Sequence, residues 1–197
     1  MGVLIFQKVT ALLSAFLIAL TPVAPVLAPP NLVNKAFAPN PVMSEIAAAI
    51  NRVAAEYSEV RGITVTEVDI MPGVYAYASG RLIAFNRLYT PSVDVFNALM
   101  ASDIGAGFHP ALGRCTPAEF LAYHESAHII DRTRELAPRI AMAVRYGERS
   151  DLDLSGYSFR GGVLNLGEAL AEAFAATLCG SANPTEREIY TLFTEDL

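Results

Sequence analysis

The segment Thr116-Pro117-Ala118-Glu119 fixes the start of a helix more firmly than any other stretch of this chain. Thr116 can accept from the amide three residues on, Glu119 can return the bond, and Pro117 supplies the preset φ of a first helical position. Two turns into that helix stands His124-Glu125-Ser126-Ala127-His128. Residues four apart share a helix face, so both imidazoles leave on one side at a separation that a single metal ion can bridge. Glu125 is one step round, near enough to reach a metal-activated water without ligating the ion, and a carboxylate there can take a proton and hand it on. The chain holds 3 histidines among its 197 residues. With so few, chance placement yields this pattern only about 0.003 times. The motif therefore predicts His124 and His128 as ligands of a Zn2+ ion and Glu125 as general base.

A catalytic zinc site takes a third protein ligand and leaves one position open. A metzincin would need glycine and histidine at positions 131 and 134, where this chain has Asp131 and Arg134. The remaining source is a distant acid on a second helix. Residues 166–178 read as such a helix, with Glu168 and Glu172 in an otherwise apolar run. A buried carboxylate needs a partner, and metal coordination would supply one. Asp131 lies on the same helical stripe as both histidines, where it can accept a ring N–H and fix the tautomer or stand as a solvated acid at the helix end. His109, in Gly-Phe-His-Pro, could line the cleft but stays outside the metal set.

Taken together, His124-Glu125-x-x-His128 with Asp131, Ser155-Gly156-Tyr157, and Glu168-x-x-x-Glu172-Ala173-Phe174 resemble the catalytic domain of the anthrax lethal factor-like metallopeptidases. The resemblance covers about residues 80–180. It implies a zincin-like fold, a gluzincin-type zinc metalloendopeptidase, Glu168 as third zinc ligand and Glu172 as acceptor for a ligand imidazole. It also implies that the Tyr157 hydroxyl faces the oxyanion of the tetrahedral intermediate. Similar domains occur in toxins and in phage-associated proteins. The chain departs from the family in two places. Ala127 stands where glycine is commoner, and Tyr157 is farther from Glu168 than the family tyrosine is from its glutamate, with Gly161-Gly162 predicting a flexible loop between them.

Elsewhere the patterns are those of an α+β domain. Ser44 can cap a helix carrying Ile46, Ile50, Val53, Tyr57 and Val60 at helical spacing, with Gly62 at its C-terminal cap. Residues 63–70, 74–78 and 81–86, separated by Pro72-Gly73 and Ser79-Gly80, read as a small antiparallel sheet packed on helices. The last of these is the expected edge strand, on which an extended substrate could be laid. Further helices are predicted at about 92–101, 135–146 and 184–193.

The net charge of −6 comes without a dense Lys/Arg cluster, which excludes the electrostatic footprint of a nucleic-acid binder. From Val9 to Asn34 no residue is charged, and Lys8 precedes the densest apolar stretch. Residues 1–28 thus predict a signal peptide or membrane anchor, although Pro22 and Pro25 interrupt the run. An apolar segment of a virion protein or larger precursor is the other reading. Residues 29–43, rich in Pro and Asn, read as a linker, and 44–197 as the metallopeptidase domain. Cys115 and Cys179 could pair in an exported protein or remain buried thiols in a cytosolic one. The expectation is a secreted or membrane-anchored zinc peptidase acting on a peptide or protein substrate. Its rival is a non-catalytic virion or surface protein that keeps the fold.

Overall fold

The computed structural model describes residues 40–147 and 149–194. The signal-like segment 1–28 and the linker up to residue 39 lie outside them. In chain order the elements are α1 (Pro41–Glu56), β1 (Thr64–Val68), β2 (Ala76–Ser79), β3 (Leu82–Asn86), α2 (Val93–Gly105), α3 (Pro117–Thr133), α4 (Ala137–Tyr146), β4 (Phe159–Arg160), β5 (Val163–Leu164), α5 (Leu166–Cys179) and α6 (Pro184–Thr191). The class is α+β, as expected. Among the described residues no helix is long and apolar enough to cross a membrane.

Helix α1 begins three residues before Ser44. Asn40 is its cap, accepting from the Met43 amide at 3.2 Å, and Pro41 takes the first helical position. The same Asn-Pro start recurs at Asn183-Pro184, where Glu186 completes a capping box. The end of the Pro/Asn-rich stretch is thus helix and not linker.

The sheet differs from the sequence expectation in strand direction. Its order is β1-β3-β2, with β2 antiparallel to β3 but β1 parallel to it. The cause is Asn86, which is fully buried. Its amide nitrogen donates to the carbonyls of Ile70, Met71 and Val74 at 3.2, 3.3 and 2.8 Å. The segment after β1 is therefore wrapped around the end of β3 instead of folding into a hairpin. Strand β3, with Ile83, Ala84 and Phe85 buried, becomes the centre, and the expected edge strand over residues 81–86 is corrected to β2.

Helix α3 packs against α1 and α5, and the core gathers Ile46, Phe85, Phe120, Ile130, Leu170 and Phe174, all essentially inaccessible. Each such side chain contributes about 1.5–3 kcal/mol of burial. The buried alanines of α5, among them Ala169, Ala173 and Ala176, let its backbone approach α3 closely. A disulfide joins Cys115, just before α3, to Cys179, the last residue of α5. Gly113 makes the approach possible: at φ +56 its Cα faces Cys179 O, where a Cβ would come within 2.4 Å.

Candidate metal centre

Two helices bring the site together. Helix α3 starts where the sequence predicts, with Thr116 Oγ1 accepting from Glu119 N and Glu119 Oε2 accepting from Thr116 N, at 3.2 and 3.0 Å. Its histidines then project towards α5. His124 Nε2 lies 3.2 Å from His128 Nε2 and 3.1 Å from Glu168 Oε2, and His128 Nε2 is 3.3 Å from the same oxygen. Three donors at 3.1–3.3 Å close a triangle. Two donors held about 2.0–2.1 Å from one tetrahedral ion stand about 3.3–3.4 Å apart, so a cation fits between these three atoms. His124, His128 and Glu168 form a group able to hold a metal ion.

Burial works against a charge on His124, but hydrogen bonding to Glu168 and the charge of Glu172 outweigh it and raise the ring to about 10. Burial likewise pushes Glu168 up, yet the two histidines hold it well below the usual carboxylate range.

Behind the triangle lies a second carboxylate. Glu172 Oε1 is 3.0 Å from His124 Nδ1, an ion-pair distance at which the ring N–H is not aimed along the line to the oxygen. The same oxygen is 3.1 Å from His109 Nδ1, and Oε2 accepts from Ser155 Oγ at 3.0 Å. Burial opposes the charge on Glu172, while His109 and His124 lower its pKa and win. Glu172 thus occupies the position expected for an acceptor of a ligand imidazole.

Asp131 does not. It is buried, but its partners are the Arg139 backbone N–H at 3.2 Å and Arg139 Nη2 at 2.7 Å. Helical side chains tilt towards the N-terminus, so both histidine rings lean away from a residue that follows them. Neither the tautomer role nor the solvated helix end describes Asp131.

No family model, curated protein or solved structure matches this chain.

Glu125 is buried, and its Oε2 has no hydrogen-bond partner. Burial is the first cause of its raised pKa, against the opposing pull of His128 and His124. It borders two cavities. One, of about 370 Å³, is walled largely by Tyr75, Tyr89, Phe108, Phe120 and Tyr157. The other, of about 330 Å³, holds Arg132, Arg139, His128 and Glu168. His124, Glu125 and Tyr157 line both, as do Val74 and Ala76.

Tyr157 sits in a single 3₁₀ turn, Gly156–Ser158, with its ring centroid 5.7 Å from that of His124. The turn is stitched to the loop before α3, with Gly156 N donating to Gly107 O and Tyr157 N to Phe108 O, both at 2.8 Å. Its distance from Glu168 along the chain is closed by structure and not by a flexible loop. Phe159–Arg160 and Val163–Leu164 form a hairpin whose two-residue turn is Gly161-Gly162, at φ 60 and 78. Two positive φ values make the primed turn that suits twisted strands. Asn165 N then donates to Ser158 O at 2.8 Å, returning the chain beside Tyr157. Burial, then the charge of Glu168, pushes the Tyr157 hydroxyl pKa up, so it is a donor at neutral pH.

The residues that sequence reasoning missed are His109 and Ser155 as partners of Glu172, and Arg139 on the cleft wall. A Gly-rich loop before His109 was the only available sign, since nothing in its spacing points at Glu172.

Proposed function

We propose that this chain is a zinc-dependent metallopeptidase of the gluzincin type, cutting peptide bonds in an extended substrate. The observation that carries the reading is the convergence of two imidazoles and a remote carboxylate at 3.1–3.3 Å, beside an open cavity. The metal is zinc on the chemistry of the donors: two imidazoles with one carboxylate, at tetrahedral separations, leave a fourth position to solvent. Among the described residues no fourth side chain joins the group. A closed structural site would need one, which favours catalysis over the non-catalytic surface-protein reading. Zinc bound there supplies Lewis-acid chemistry, polarising the scissile carbonyl and acidifying water.

The chain's own groups do the rest. Glu125, buried and without a hydrogen-bond partner at Oε2 among the described residues, takes the proton of the attacking water and delivers it to the departing amine. Glu172, 3.0 Å from His124 Nδ1, favours the tautomer that keeps the proton on Nδ1 and frees Nε2 for the ion. Tyr157 donates its hydroxyl to the developing oxyanion, the role implied by the family resemblance and supported by its place between the two cavities.

Strand β2 supplies the substrate track. Tyr75 O accepts from Asn86 N, so by strand alternation Ala76 and Ala78 turn their backbone groups outward. Arg132 already occupies the Ala78 carbonyl, leaving the N–H and C=O of Ala76 for an incoming strand. The aromatic cavity beside Glu125 suits a large apolar side chain next to the scissile bond. The disulfide supports an exporting pathway, in keeping with the apolar residues 1–28 as a signal or anchor that touches the membrane.

Metal analysis and a peptide digest test the reading together. Glu125→Gln should keep one zinc per chain and lose at least about a hundredfold in turnover, whereas Glu168→Gln should lose zinc. Stoichiometric zinc in Glu168→Gln would refute the ligand set, and turnover retained by Glu125→Gln would refute the general base.

A further inference from the structure

One charged side chain on the cleft wall has no part in the hydrolysis. Arg139, in the first turn of α4, lays its guanidinium across Gly167, where a Cβ would meet Nη2 at 2.8 Å and Cζ at 3.1 Å. Glycine at this position of α5 leaves room for the group, which a side chain there would push aside. Asp131 Oδ2 engages Nη2 from behind at 2.7 Å, and the same carboxylate accepts the Arg139 backbone N–H. The side chain is 33% exposed, and it lines the cavity that also contains His128 and Glu168.

Its neighbour Arg132 is committed to the Ala78 carbonyl and so ties α3 to the strand β2. Among the described residues Arg139 holds no backbone carbonyl. Asp131 orients it without enclosing it, which is the arrangement of a recognition group: fixed in place before the ligand comes, with part of its planar fork still open. Arg132 and Arg139 are the two guanidinium groups lining this cavity, beside Glu125 and Glu168. On the other side of Glu125 five aromatic rings line the cavity, together with Asp103 and His109.

We propose that Arg139 is the specificity-determining residue of the cleft, binding a substrate carboxylate on the side of the metal away from the aromatic cavity. This rests on the peptidase reading only in taking the ligand to be a peptide. The carboxylate comes from an Asp or Glu side chain or from a free C-terminus, and the two sources are separable.

Zinc-loaded Glu125→Gln protein serves as a binding form that does not turn over. Its affinity is measured by calorimetry for four versions of one apolar peptide: a central Glu or Gln, each with a C-terminal acid or amide. A charge-assisted hydrogen bond predicts about tenfold or greater preference for the carboxylate. Preference for Glu assigns the side chain; preference for the acid over the amide assigns the terminus.

Removing Arg139 alone would strand the buried Asp131, so the decisive variant adds Asp131→Asn with Arg139→Gln. This pair should erase the preference while zinc content and affinity for the Gln amide stay unchanged. Equal binding of all four peptides, or a preference that survives in the pair, overturns the proposal. Cleavage by the wild-type chain without any acid preference would overturn Arg139 and leave the hydrolase reading standing. Acid-dependent binding without cleavage would do the reverse.

Discussion

Helix α3 meets two neighbours through two buried carboxylates, and the two contacts do different work. Towards α5, Glu172 collects His124, His109 and Ser155 around the back of the metal site. Towards α4, Asp131 collects Arg139 alone among the described residues. Both acids are within 2% of full burial. What separates them is direction: the rings lean towards the N-terminus of α3, into the reach of α5 and away from Asp131. A carboxylate near a histidine pair is thus a partner of the rings only if it lies on the side to which they point.

The largest way to break the comparison is to release the α3–α5 side as a whole. The disulfide ties the start of α3 to the end of α5 across 64 residues and does not touch the α3–α4 turn. Replacing both cysteines by serine should lower unfolding stability by about 2–4 kcal/mol, read as a denaturation midpoint. Zinc affinity should fall with it, because Glu168 and Glu172 reside on the loosened helix. If stability falls but zinc binding is untouched, the two helices are held by their packing alone.

Smaller and more local is Glu172→Gln. The amide keeps the shape but is a weaker, uncharged acceptor for the ring N–H, and loss of such a partner typically weakens metal binding 10–100-fold. Its pH dependence sharpens the test. In the metal-free fold His124 is raised to about 10, so its proton stabilises fully below the ordinary histidine value and is lost as pH rises towards 10. Zinc must displace that proton. Competitive zinc titrations should therefore show affinity climbing with pH until about 10, and levelling off at lower pH in Glu172→Gln, whose ring holds the proton less firmly. A pH-independent affinity in the intact protein would contradict the role of Glu172.

How much of this was readable beforehand follows from the range of the interactions. The capping box at Thr116 and the spacing of His124, Glu125 and His128 are local, and helical geometry alone determines their faces. Glu168 and Glu172 stood out because two acids in an apolar helix need partners. The strand directions were not legible, since they depend on Asn86 capturing carbonyls up to 16 residues away. Gly161-Gly162 reads equally as a flexible loop or a tight turn until its flanking strands are seen to pair. His109 joins Glu172 across 63 residues, a distance over which no periodicity operates.

The smallest effect belongs to Asp131→Asn. Which partner of an ion pair is removed decides the penalty. Taking away the Arg139 guanidinium would leave a carboxylate 2% exposed without its counter-charge, a case that ordinarily costs about 3–5 kcal/mol. Taking away the Asp131 charge leaves a guanidinium that is 33% exposed and can turn to water, so screening reduces the loss to about 1 kcal/mol. Thermal denaturation should register that change, while zinc affinity stays within about threefold, because no ring depends on this acid. A tenfold fall in zinc affinity would place Asp131 back among the partners of the histidines and undo the distinction between the two sides of α3.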